Sequence, residues 1–231
     1  MILSVVATPI GNIQDISFRA KEVFEKATLV IAEDTRTTGQ LLKLLNLQGE
    51  RHFASFHAQS HKGAITKLLE SCKEHEHIVL VTDAGTPGIS DPGCVFVEMF
   101  RSEYPEAAIV PIPGPSAVIA ALSVSGFPAS HFEFAGFVPH KKGKQTLFTS
   151  IRNTEHTVCF YESPHRIVKT LQELAVQIEN RPIFIAREIT KLFEEYRLGT
   201  ALEHAEYYEL NSDKCRGEFV VVVAPKKYRH N

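Results

Sequence analysis

The chain has 231 residues, 44% of them hydrophobic and 23% charged, which is the composition of an ordinary soluble globular protein. Its formal net charge of −2 excludes a globally basic nucleic-acid binder but leaves room for a local basic face. The four cysteines are scattered without metal-ligand spacing, which indicates reduced thiols in a cytoplasmic protein, and no stretch is long and apolar enough to span a membrane.

The first half of the chain alternates predicted strands and helices. The N-terminus lacks the basic flank of a signal peptide, so it predicts a first strand instead. Strands are predicted at 2–7, 28–32, 52–56, 78–82 and 108–112, and helices at 17–26, 37–47, 64–73 and about 95–101. Strands separated by helices of this length imply right-handed crossovers and a mostly parallel sheet.

Three prolines and a glycine between 111 and 115 predict a stiff connection at a domain boundary. We therefore expect an N-terminal α/β domain at 1–112 and a C-terminal α/β domain at 113–231. In the second domain the patterns predict helices at 116–125, 144–151, 167–178 and 201–208, and strands at 132–137, 157–161, 183–186, 195–198 and 219–223. The short spacing of the later strands indicates antiparallel pairing and a mixed sheet.

Two loops rich in glycine and proline are expected at the carboxyl edge of the first sheet. Segment 83–93 follows an apolar strand, begins with the carboxylate of Asp83, and carries three glycines that let backbone approach a ligand. Segment 7–12 follows the first strand and matches neither a P-loop nor a dinucleotide fingerprint. Convergence of the two loops favours a small-molecule site; the alternatives are a long surface turn and a simple strand-to-helix turn.

Charged residues follow several other predicted strands. Segment 32–37 either presents Arg36 to a phosphate or caps the next helix through Asp34, Thr35 or Thr37. Segments 160–166 and 186–191 repeat the pattern of an apolar strand that runs into a carboxylate and basic residues. Cations near these strand ends either bind a ligand or form a solvated face, and they are Lys141, Lys142, Lys144, Arg166, Arg187 and Lys191.

Metal binding and covalent catalysis receive no support from the sequence. His57 and His61 have helical i, i+4 spacing, but no convincing third ligand accompanies them, so no metal site is predicted. No GxSxG motif or paired Cys/His arrangement supports nucleophilic catalysis.

Six ordered motifs carry a resemblance to a known family. They are ATPIGN at 7–12, AEDTR at 32–36, DAGTPGISDPG at 83–93, PGPSA at 113–117, FYESPHR at 160–166 and ARE-TK at 186–191. The set resembles the bacterial 16S rRNA (cytidine-2′-O)-methyltransferases, known as ribosomal small-subunit methyltransferase I, of the tetrapyrrole methylase superfamily. The resemblance runs over essentially all 231 residues. Many members continue beyond the last strand with a helical C-terminal extension.

The resemblance implies a two-domain α/β fold with a mostly parallel N-terminal sheet, a mixed C-terminal sheet and flanking helices. It implies S-adenosylmethionine (SAM) as cofactor, in the cleft between the domains. The implied reaction is 2′-O-methylation of a cytidine in the decoding region of 16S rRNA in the small ribosomal subunit, by a homodimer. The residues expected to hold SAM lie in loops that leave apolar strands, and they are Pro9, Ile10, Gly11, Asp83, Gly88, Ile89, Ser90, Ser116, Ala117, Tyr161 and Ala186.

Transfer would be an in-line displacement by the ribose 2′-oxygen, in which alignment supplies most of the acceleration and a nearby base helps. The residues expected to frame the acceptor ribose are Glu33, Asp34, Glu188 and Lys191, and Glu162 is a further candidate base. Arg36, Arg166 and Arg187 are expected to bind RNA phosphates.

Two alternatives stay open. An enzyme of the same superfamily that methylates a corrinoid precursor or the diphthamide intermediate would share the cofactor cleft, although the AEDTR and FYESPHR motifs favour the rRNA branch. A non-catalytic RNA-binding adaptor would differ in class, and calorimetry would distinguish it because it lacks stoichiometric SAM binding.

Overall fold

The structure is a computed structural model, and it describes residues 1–47, 49–57, 59–60, 62–140 and 142–228, with the side chain of Lys62 left out. The described residues divide into two compact units, one that ends at Ser116 and one that begins at Ala117. Among the described residues, no helix combines the length and the apolar character that crossing a membrane requires.

The first unit is a parallel sheet with flanking helices. Its strands are β1 (Ile2–Val6), β2 (Leu29–Ala32), β3 (His52–Ser55), β4 (His77–Leu80) and β5 (Ala108–Ile112), in the order β3-β2-β4-β1-β5. All neighbouring pairs run parallel. Its helices are α1 (Phe18–Lys26), α2 (Thr35–Leu44), α3 (Lys62–Cys72) and α4 (Gly93–Glu103), and a 3-10 turn spans Ile13–Asp15.

Both faces of this sheet are covered, which explains why β2 is apolar at every position. In β2, Ile31 packs into a cluster with Phe96 and Phe100, whereas its neighbour Val30 packs on the opposite face with Phe24. Successive side chains of a strand point to opposite faces, so a strand buried on both sides needs apolar residues at every position.

The second unit holds a mixed sheet. Its strands are β6 (Phe132–Phe137), β7 (Thr157–Glu162), β8 (Pro182–Arg187), β9 (Glu195–Thr200) and β10 (Phe219–Val223), in the order β6-β7-β10-β8-β9. Only β6 and β7 pair in parallel; the other neighbours are antiparallel. Its helices are α5 (Ala117–Ser125), α6 (Lys144–Asn153), α7 (Ile167–Ile178) and α8 (Ala201–Leu210), and a 3-10 turn spans Ser212–Lys214.

These observations confirm the predicted α/β class, with its parallel first sheet and mixed second sheet. The clearest correction concerns α2, which was predicted at 37–47 but begins at Thr35 and ends at Leu44. The helix begins early because the Asp34 side chain accepts a hydrogen bond from the Arg36 amide and so satisfies one of the unpaired amides of the first turn.

Candidate active site

Four loops of the first unit meet at the edge where its parallel strands end. Thr8, after β1, and Gly85, after β4, exchange backbone hydrogen bonds of 2.9 and 3.1 Å. The Thr86 hydroxyl donates to the Pro115 carbonyl at 3.0 Å, which ties in the loop after β5. The Asp34 amide, after β2, donates to Asp83 Oδ1 at 3.0 Å. Loops at this edge are where open α/β sheets bind ligands.

Asp91 holds the loop after β4 in shape. Its Oδ1 accepts hydrogen bonds from the amides of Gly88, at 2.8 Å, and Gly93, at 2.6 Å. The loop also has positive φ at Gly85, Gly88 and Ser90, a conformation that costs little at glycine and more at serine. Asp91 was not among the predicted site residues, although an Asp two residues before a helix that begins with Gly is a recognisable turn signal.

Three carboxylates gather at the same edge. Asp83 is exposed and reaches the backbone of Asp34, while the Thr82 hydroxyl donates to Glu33 Oε2 at 2.9 Å. Glu33 is half-buried beside them. The structure therefore brings together acidic residues that lie 49 positions apart in the chain.

Asp34 and Arg36 form an exposed ion pair at the start of α2. Arg36 Nη2 lies 2.7 Å from Asp34 Oδ2, and the arginine side chain is 87% exposed. The side-chain hydrogen bond from Arg36 lowers the pKa of Asp34 to about 2. Asp34 is thus both the helix cap and a weak proton acceptor, and Arg36 presents much of its guanidinium to solvent.

A second charged cluster lies after β8, in the second unit. Glu188 Oε1 accepts hydrogen bonds from the Lys191 ammonium at 2.7 Å and from the Glu218 amide at 3.0 Å. Lys191 also donates to Glu218 Oε2 at 2.8 Å. Burial by itself would lower the pKa of Lys191, but these hydrogen bonds outweigh it and raise that pKa, so the side chain stays cationic at neutral pH.

Backbone strain accompanies this cluster. Glu188 and Thr190 have φ of 54° and 66°, in the left-handed region that L-residues occupy at a cost of about 1–3 kcal/mol each. Gly217, with φ of 81°, lies directly against Glu188, and a Cβ built there would overlap the Glu188 carboxyl group. Residues of unusual backbone conformation concentrate at functional sites. Sequence reasoning missed Gly217 and Glu218, because their contacts are long-range.

Two predicted residues of the second unit have interior roles. The Arg187 side chain is buried, donates to the carbonyls of Phe193 and Arg216, and lies 4.0 Å from Glu195. It therefore supports its own strand and loop rather than presenting a cation to solvent.

Glu162 is 1% exposed, and its carboxylate accepts hydrogen bonds from the Ser163 amide and the Thr170 hydroxyl. A carboxylate so enclosed is a structural anchor rather than an open base.

The predicted cofactor residues differ in exposure. Tyr161 packs against Phe134 and Phe137, and burial raises its pKa to about 12, so the phenol stays neutral. Exposed members are Gly11, Asp83, Ile89 and Ser90; partly exposed ones are Pro9, Ile10, Gly88, Ser116, Ala117 and Tyr161; Ala186 is buried.

Of the residues considered as metal or phosphate ligands, His61 and Lys141 lie outside the described part of the chain. Within the described ranges, no group of three or more His, Cys, Asp or Glu side chains is placed to hold a metal ion.

Comparisons with known proteins identify the family of the chain. Residues 3–205 match the family model of the Tetrapyrrole (Corrin/Porphyrin) Methylases. A relative from Thermotoga maritima, named ribosomal RNA small subunit methyltransferase I, is 40% identical over 97% of this chain and 99% of its own length.

Two solved structures share the fold. A diphthine synthase superposes with a TM-score of 0.74 at 14% identity, over 97% of this chain and 90% of that one. Uroporphyrin-III C-methyltransferase from Thermus thermophilus, complexed with S-adenosyl homocysteine, superposes with a TM-score of 0.62 at 17% identity. The superposition covers 96% of this chain and 97% of that one. At these identities the likeness concerns the fold.

The family match defines a methyltransferase of the tetrapyrrole methylase class, whose cofactor is SAM. Within that class, the chain belongs to the ribosomal RNA small subunit methyltransferase I family.

The loop edge of the first unit has groups that suit SAM. An exposed carboxylate, Asp83, can accept hydrogen bonds from hydroxyl or ammonium groups, and Ile89, 48% exposed, offers an apolar surface beside it. The glycine-rich backbone between them is held rigid by Asp91, so binding would order little of it. The residues present therefore fit the cofactor.

Proposed function

We propose that the protein transfers a methyl group from SAM to the 2′-oxygen of a cytidine ribose in the decoding region of 16S rRNA. The observation that carries the proposal is the 40% identity, over nearly the whole of both chains, to a relative named ribosomal RNA small subunit methyltransferase I. The cytidine and its 2′-oxygen come from the resemblance of the six motifs.

SAM, when bound, supplies an electrophilic methyl group on a sulfonium. We propose that Asp83 and the backbone of Gly88 bind polar parts of the cofactor, and that Ile10 and Ile89 flank its apolar surface. The proposal extends to the other predicted cofactor residues, which are Pro9, Gly11, Ser90, Ser116, Ala117, Tyr161 and Ala186. The rigid loop contributes by orientation, since alignment lowers the barrier without new chemistry.

The geometry narrows the candidates for a general base. A carboxylate with a pKa of about 2, as in Asp34, is a weak acceptor for the proton of a ribose hydroxyl. Lys191 stays protonated, so it acts as a cation toward developing negative charge or a phosphate. Glu33 and Glu188 remain as the proton acceptors we propose, each partly exposed and each with one oxygen already oriented by a donor.

Replacing each of these glutamates by glutamine tests the assignment. Loss of the true base should lower turnover roughly a hundredfold or more while leaving the affinities for SAM and RNA nearly intact. If Glu33→Gln and Glu188→Gln both keep near-normal turnover at saturating substrate, no side-chain base operates. Alignment would then carry the reaction, and the proton would leave to water.

Methyl transfer itself is tested with tritiated SAM and purified small ribosomal subunits, followed by mapping of the labelled nucleotide. Label on a cytidine 2′-oxygen in the decoding region supports the proposal, whereas label on a base or on another nucleotide refutes the assigned position. Because the target lies in folded RNA, we expect assembled subunits to be better substrates than naked RNA. Equal rates on a short hairpin would contradict this expectation.

We also propose that the enzyme works as a homodimer in the cytoplasm. Two copies would widen the basic surface available to RNA, which a single chain of net charge −2 lacks. Sedimentation at micromolar concentration should show the dimer. A fully active monomer would refute it.

A further inference from the structure

A basic cavity lies in the second unit, where helices α6 and α7 begin. It has a volume of about 370 Å³ and is lined by His140, Lys144, Gln145, Arg166, Lys169 and Glu173. The two helices follow the parallel neighbours β6 and β7, so the cavity lies at the carboxyl ends of those strands. Water occupies roughly 30 Å³ per molecule in the liquid, so the space holds a phosphate group with bound water.

The lining has a surplus of positive charge. Lys144, Arg166 and Lys169 face one lining carboxylate, Glu173, which pairs with Lys144 at 2.9 Å. Lys169 stands exposed at the rim. An anion that enters the cavity therefore meets more than one cation.

Arg166 is oriented by the protein before any ligand arrives. Its Nη2 donates to the carbonyls of Val138, at 2.6 Å, and Pro139, at 3.2 Å, and lies 3.3 Å from the buried carboxylate of Glu162. Its other terminal nitrogen, Nη1, lies 3.4 Å from His140 Nδ1, on the cavity lining. A guanidinium fixed in this way loses little freedom on binding.

The two helix starts add to the same field. Residues of both first turns line the cavity: Lys144 and Gln145 begin α6, and Lys169 lies in the first turn of α7. The amides of a first helical turn carry partial positive charge and bind anions. Two such turns beside three cations form a site with the chemistry of a phosphate receptor.

We infer that this cavity binds a backbone phosphate of the RNA substrate. The inference rests on the proposed function for the identity of the polyanion. A phosphodiester contact of this kind fixes the register of an RNA strand without reading its sequence. The cavity would then hold the RNA strand during methyl transfer.

The test uses Lys169→Ala, with Arg152→Ala as the matched control. Both residues are exposed cations of the second unit, but Arg152 lies in the last turn of α6, away from the cavity lining. Arg166 is unsuitable for the test because its side chain supports two backbone carbonyls. The probe is in vitro transcribed 16S rRNA, and its dissociation constant is measured over a series of salt concentrations, alongside calorimetry with SAM.

Lys169→Ala should weaken RNA binding several-fold and reduce the slope of log K against log salt by about 0.7–0.9, the loss of one phosphate contact. Arg152→Ala should leave the slope unchanged, and both variants should bind SAM like the wild type. Equal slopes for the two variants would overturn the inference. If the wild type methylates small subunits but Lys169→Ala has the same salt slope as Arg152→Ala, the phosphate site is refuted and the proposed reaction stands. If Lys169→Ala lowers the salt slope but the wild type transfers no methyl group, the proposed reaction is refuted and the phosphate site stands.

Discussion

Replacing Gly217 with alanine should displace the Glu188 carboxylate and destabilise the second unit. Gly217 has φ of 81°, and a Cβ there would overlap the Glu188 carboxyl group. Gly126 provides a matched control, because it has φ of 73° and nothing within 4 Å of a built Cβ. Gly126→Ala and Gly217→Ala both place alanine at a positive φ, but only Gly217→Ala brings a Cβ into overlap with the Glu188 carboxyl group.

The magnitudes follow from the contacts. Alanine in the left-handed conformation costs about 1–2 kcal/mol, which is the whole effect expected for Gly126→Ala. Moving Glu188 also breaks its hydrogen bonds with the Glu218 amide and the Lys191 ammonium. Hydrogen bonds to charged groups contribute about 1.5–3 kcal/mol each, and a partly exposed carboxylate recovers some of that from water, so Gly217→Ala should cost about 3–5 kcal/mol in total.

Equilibrium urea unfolding measures both free energies. In a Glu188→Ala background the carboxyl group that the Cβ would overlap is gone. Gly217→Ala should then lower the free energy of unfolding by only about 1–2 kcal/mol, the cost of alanine in the left-handed conformation. Methyl transfer by Gly217→Ala, assayed under conditions where it is folded, should fall with the displacement of Glu188. Equal losses of stability for Gly126→Ala and Gly217→Ala would refute the reasoning.

Four further predictions concern the first unit. Asp91→Ala should lower SAM affinity about tenfold or more, because the loop after β4 loses the hydrogen bonds that hold it in shape. Asp83→Ala should weaken SAM binding without unfolding the protein. Calorimetry that shows unchanged SAM affinity for either variant would remove that residue from the site. By NMR, Asp34 should titrate near pH 2. The ion pair with Arg36 therefore stabilises the folded state above about pH 4, and this stabilisation is lost as pH falls toward 2. Arg36→Ala should return the pKa of Asp34 toward 3.8. The same Arg36→Ala should weaken RNA binding and its salt dependence while turnover at saturation persists, and an unchanged dissociation constant would contradict this.

Local sequence patterns determined the class of the fold and where its loops lie. The apolar run at 78–82 predicted a buried parallel strand, and the last three residues of β4 (His77–Leu80) are buried. Alternation of such runs with helical segments predicted the parallel sheet, because parallel strands need crossovers. Glycine and proline after β1 and β4 marked two loops at one edge, which exchange hydrogen bonds between Thr8 and Gly85. These features depend on periodicity and turn chemistry, which a short window of sequence contains.

Tertiary structure alone decided what each charged residue does. Arg187 is the last residue of β8 and Arg36 follows β2, yet the Arg187 guanidinium is buried and donates to backbone carbonyls, whereas that of Arg36 is exposed. Glu188 finds Gly217 and Glu218 about thirty positions further along the chain, and only the packing of β8 against β10 brings them together. Burial and partner choice depend on which distant segments pack side by side, so the pKa of Lys191, which Glu218 helps to raise, follows from the folded structure and not from its sequence neighbours alone.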